Sequence, residues 1–73
     1  MTTAMEIKFH LLSAAIAAYN GNNMTDLERW LTVSFFASYM GLLPNDALSA
    51  VQYANGLNRE DTITYIGNLS QSK

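Results

Sequence analysis

The sequence predicts an all-α fold, a compact four-helix domain made of residues 1–73 as a single unit, on three observations. Apolar residues recur at spacings of three and four through most of the chain. Capping residues, a proline and glycines punctuate it at intervals suited to short helices. All six acids (Glu6, Asp26, Glu28, Asp46, Glu60, Asp61) fall in the first turn of a predicted helix. Negative charge there complements the positive end of the helix dipole, by about 0.3–1 kcal/mol for each acid.

The first helix is expected over about residues 4–19. Thr3-Ala-Met-Glu6 has the form of a capping box, and Asn20-Gly21 offers a left-handed end. The second, over 26–40, opens on the box Thr25-Asp-Leu-Glu28 and stops at Gly41. Pro44 suits the first turn of a third helix over 44–55, because its missing N–H would have no partner there. That helix should end at Asn55-Gly56, with Leu57 at the apolar position of a Schellman motif. Asn58 can cap a fourth helix over 59–69. Thr62-Ile-Thr-Tyr-Ile66 alternates like a strand, but a lone strand would need a partner chain, so helix is the expectation.

Composition limits what such a domain can do. Apolar residues make up 49% of the chain and charged ones 14%, against about a quarter in ordinary domains. There is no cysteine, which removes disulfides, zinc ribbons and thiol catalysis. A net charge of −2 with four basic residues argues against tight binding to phosphate backbones, so no specific nucleic acid is expected as a partner. The least polar stretch, Trp30–Leu43, is shorter than the roughly 20 residues that span a bilayer. Glu6, Lys8 and His10 interrupt any signal-like run, so a cytoplasmic location without a membrane partner is expected.

The apolar faces are wider than a small bundle needs. On the first helix Met5, Phe9, Leu12, Ile16 and Tyr19 form one seam, flanked by a flatter strip of Ile7, Leu11, Ala14, Ala15 and Ala18. The second helix is apolar nearly all round. Trp30, Val33, Phe36, Ala37 and Met40 make one sector, and Leu27, Leu31 and Phe35 another. A domain this small, without staples, commonly completes its burial in a dimer. The expected interface residues are Leu11, Ala14, Ile16, Ala18, Trp30, Leu31, Phe35, Phe36 and Tyr39. A homodimer that also binds another, unidentified protein is therefore expected, acting as a regulator, adaptor or inhibitor.

Chemistry finds little support. His10 is the only histidine and Glu6 lies one turn before it, but a transition-metal site needs three or four ligands. A nucleophilic triad needs a base within reach of its hydroxyl and His10 is the only imidazole available, while the acid pairs Asp26/Glu28 and Glu60/Asp61 are explained as helix-start charge. The four glycines form no phosphate-cradling loop. No catalytic residue, cofactor or metal is expected, and the chain reads as a non-enzyme. One alternative is a DNA-binding regulator. Residues 33–52 have helix-turn-helix spacing, with Ala37, Gly41, Ala47 and Ala50 at the packing and turn positions. The would-be recognition helix, Pro44–Gln52, carries Asp46 and no Arg or Lys, so the unit reads as packing without DNA function.

Overall fold

A computed structural model of the chain describes residues 2–21 and 23–71. They form four helices and no strand: α1 (Thr3–Asn20), α2 (Asp26–Met40), α3 (Pro44–Ala54) and α4 (Arg59–Gln71). The all-α four-helix expectation holds, with each boundary within two residues of its predicted place.

The start signals work locally, as hydrogen bonds. The Thr25 hydroxyl accepts the Glu28 N–H at 3.2 Å, and the Glu28 carboxylate accepts the Thr25 N–H at 3.1 Å, completing the box. Pro44 stands at the start of α3, and the Asn58 side chain accepts the Asp61 N–H at 2.8 Å at the start of α4. At α1 the cap is Thr2, not Thr3: its hydroxyl accepts the Met5 N–H at 3.2 Å. Starting one residue earlier adds a further backbone bond, from the Glu6 N–H to the Thr2 carbonyl at 2.9 Å.

Two helix ends differ from expectation. Gly21 is extended (φ −71°, ψ 137°), not left-handed. A β-carbon there would meet the Ala17 carbonyl oxygen at 3.2 Å, so close approach is what favours glycine. The Schellman pattern belongs to the end of α2. Gly41 is left-handed (φ 71°), and the Leu42 N–H reaches back to the Ala37 carbonyl at 2.8 Å. After α3 the Leu57 N–H instead bonds Ala54 in a tight turn.

The β-branched run in α4 is helical. Thr62 and Thr64 donate their hydroxyls to the carbonyls one turn back, Asn58 at 2.7 Å and Glu60 at 3.2 Å. This lets threonine sit in a helix without an unsatisfied oxygen, even at Thr62, which is buried. Ile66, one turn on, is fully enclosed.

The core lies where α1 packs on α2, α3 and α4. Its largest enclosed side chains are Phe36, Leu12, Ile66 and Val51. Much of the remainder is alanine: Ala15, Ala18, Ala37, Ala47, Ala50 and Ala54 are all buried. Small residues let the helices approach closely, but each contributes little apolar area. The molecule therefore relies on a few large residues for its stability. Among the described residues no helix is long and apolar enough to cross a membrane.

Candidate functional site

α2 has two apolar sectors, and the fold buries only one. Val33, Phe36, Ala37 and Met40 point into the core. Leu27, Leu31 and Phe35, each four residues after the last, remain 68%, 50% and 66% exposed. Beside them, Phe35, Ser38 and Tyr39 of α2 and Ile7 and Leu11 of α1 line a shallow groove of about 630 Å³. Leu11 packs partly against the core, while Ile7 and Tyr39 are 40% and 44% exposed. The result is one apolar strip along α2 that continues onto α1.

The nine expected interface residues divide accordingly. Ala14, Trp30, Leu31, Phe35 and Tyr39 are exposed, and Leu11 and Ile16 are half-buried. Phe36 and Ala18, expected at the interface, are instead enclosed in the core and present no surface to a partner. Phe36 belongs to the inward sector of α2, and the Ala18 methyl is covered where α1 packs on its neighbours. Trp30 is half-open on a different hollow, of about 260 Å³, that it shares with Tyr19, Arg29 and Leu48. Leu27 and Ile7 were not among the expected interface residues, yet both lie open to solvent. The four-residue spacing from Leu27 to Leu31 to Phe35 is the signal that could have found Leu27.

Charge stands at the Leu27 end of the strip. Asp26 and Glu28 stand at the start of α2, and hydrogen bonds from the Thr25 backbone and side chain hold the Glu28 carboxyl below its ordinary value. Arg29 folds back against the chain. It donates to the Gly21 carbonyl at 2.6 Å and pairs with Asp26 at 3.3 Å. Its Nε is buried with no protein partner.

The helix-turn-helix spacing falls on packed positions and a turn. Ala37, Ala47 and Ala50 are buried at the α2–α3 contact, and Gly41 makes the turn. The exposed side of α3 presents Asn45, Asp46, Ser49, Gln52 and Tyr53, with no cation. Gln52 donates to the Tyr19 hydroxyl at 3.3 Å, and the Arg59 guanidinium sits 4.8 Å from the centre of the Phe9 ring. His10 is exposed with its ring edge-on to Phe9, and among the described residues no three His, Asp or Glu side chains gather. No protein-family model matches this chain, and neither does any curated protein or solved structure.

Proposed function

We propose that this chain is a non-enzymatic protein–protein interaction protein that works as a homodimer through the outer faces of α1 and α2. The observation that carries the reading is the exposed run Leu27, Leu31, Phe35 on a helix whose opposite face already fills the core. At about 150–250 Å² for a large side chain, Leu27, Leu31, Phe35, Tyr39 and Ile7 leave roughly 500 Å² open on each copy. Two copies face to face would bury about 1,000 Å², the lower bound for a specific interface. Covering such residues is worth roughly 1.5–3 kcal/mol for each one fully buried, comparable to the stability of a domain this small. As a cytoplasmic regulator, adaptor or inhibitor, the dimer would act by occupying surface on another chain. A DNA-binding reading through residues 33–52 gains nothing from α3, whose open side brings no positive charge to a phosphate.

Equilibrium sedimentation at micromolar concentration tests the reading. A mass near twice 8.1 kDa is expected, and Phe35→Glu should return a folded, helical monomer. A wild-type chain that stays at 8.1 kDa over the whole range and binds no hydrophobic dye would overturn it.

A further inference from the structure

A second surface, on α3 and α4, shares no lining residue with the α1/α2 groove. Tyr53 of α3 and Tyr65 of α4 hold their ring centroids 4.6 Å apart, with the planes tilted by 40°. Beside this wedge lies a hollow of about 270 Å³ lined by Tyr53, Leu57, Asp61, Thr64, Tyr65 and Asn68. The core makes little use of Tyr53. It is 64% exposed and absent from the residues packed against the core, whereas Tyr65 and Leu57 belong to them. Burial, and Tyr53 next to it, push the Tyr65 phenol above its ordinary value, so that ring stays neutral in neutral solution. The one formal charge in the lining is then the Asp61 carboxylate.

Aromatic faces carry negative electrostatic potential, and a carboxylate beside them adds to it. Both favour a cation. The hollow is smaller than the roughly 300 Å³ at which small-molecule pockets begin, so it suits one side chain better than a free ligand. Arg59, two residues before Asp61, already lies over the Phe9 ring. That contact is an example, within this chain, of a guanidinium resting on an aromatic face. Arginine fits better than lysine, because its planar group can lie on a ring while its fork meets a carboxylate.

We propose that the Tyr53–Tyr65–Asp61 hollow is a docking site for an arginine side chain in a basic segment of a partner protein. The site is independent of the dimer face and stands whether or not the chain self-associates.

Fluorescence anisotropy with a labelled peptide of alternating Arg and Gly, at low salt, tests it against matched Lys-Gly and Glu-Gly peptides. The Arg peptide should bind best, the Lys peptide less well and the Glu peptide not at all. Tyr53→Ala and Asp61→Asn should each weaken Arg-peptide binding about three- to tenfold. Tyr53→Phe keeps the ring and should bind like the wild type. Asp46→Asn removes an exposed acid outside the hollow and should also leave binding unchanged. Circular dichroism of each variant checks that the helices persist. Failure of the Arg peptide to bind would overturn the proposal. So would an equal loss in Asp46→Asn, which would mark diffuse attraction to an acidic protein, or wild-type binding by Tyr53→Ala.

Discussion

Phe35 and Phe36 are neighbours on one helix with the same side chain, yet Phe36 is fully enclosed and Phe35 lies two-thirds in solvent. Phe36 closes the core with Leu12, Val51 and Ile66; Phe35 borders the open groove with Ile7, Leu11 and Tyr39. α3 shows no such conflict. It turns Ala47, Ala50, Val51 and Ala54 inward and keeps Asn45, Asp46, Ser49 and Gln52 outside. The difference separates what this fold needs from what it carries in addition. Apart from Tyr53, α3 has as much apolar surface as its packing uses, and α2 has a whole second face that its own chain leaves uncovered.

The largest effect should come from cutting back the two phenylalanines. Phe36→Ala removes a fully buried aromatic side chain, a loss of about 3–5 kcal/mol. A core of this size supplies roughly the same amount in total, so the variant should be unfolded at room temperature. Phe35→Ala should leave monomer stability within about 1 kcal/mol, since most of its ring is already in water. Its effect should appear as weaker self-association. Thermal melts by circular dichroism, paired with sedimentation, read both. Equal destabilisation by the two substitutions would erase the contrast and make the outer face part of the core.

The same pair shows how far the sequence could be read. The four helices were legible because their ends are written in local chemistry: Thr25 with Glu28, Pro44, and Asn58 ahead of Asp61. Such signals depend on residues three or four apart and need no knowledge of the fold. Misplacing the first cap by one residue follows from having two threonines in a row. Both sectors of α2 were also legible, as Trp30–Val33–Phe36–Ala37–Met40 and Leu27–Leu31–Phe35, although Trp30 at the head of the first stays nearly half exposed. Which sector faces inward was not. That depends on how α1 and α3 approach α2, and a helix apolar on all sides contains no polar face to decide it. The expected interface therefore holds Phe36 beside Phe35 and omits Leu27. The Tyr53–Tyr65 pair joins two helices and has no signature in spacing.

A middle-sized effect should come from the end of α2, where the turn belongs to the monomer alone. Gly41 sits at φ 71°, and a β-carbon there costs about 1–2 kcal/mol. Gly41→Ala should lower the unfolding free energy by that amount. The loss should be the same in a Phe35→Glu background, because the turn is held by backbone bonds to the Ala37 and Ser38 carbonyls and not by the Phe35 side chain. Urea titrations of the two single variants and the double variant measure the coupling. A deficit that depends on Phe35 would mean that the turn is held in place by the outer face.

The smallest effect should be a pH dependence at the other end of α2. Hydrogen bonds from the Thr25 backbone and hydroxyl hold the Glu28 carboxyl below its ordinary value of 4.5, outweighing the slight opposing effect of desolvation. An acid whose value is lower in the folded chain favours folding when ionised. Its contribution is therefore fully present above pH 4.5 and fades as the pH falls through the lower, folded-state value. Glu28→Gln cannot ionise, so its stability deficit against the wild type should be constant from pH 5 to 8 and shrink below about 4.5. Because Glu28 is wholly exposed the change will be modest, and melts at closely spaced pH values are needed to resolve it. Running the series in a Phe35→Ala background sharpens the comparison of faces. If the acid-range slope persists there, it belongs to the capping box and hence to the fold. If it vanishes when the outer face is cut back, the charge that matters lies across a dimer contact, and the start of α2 is part of the interface.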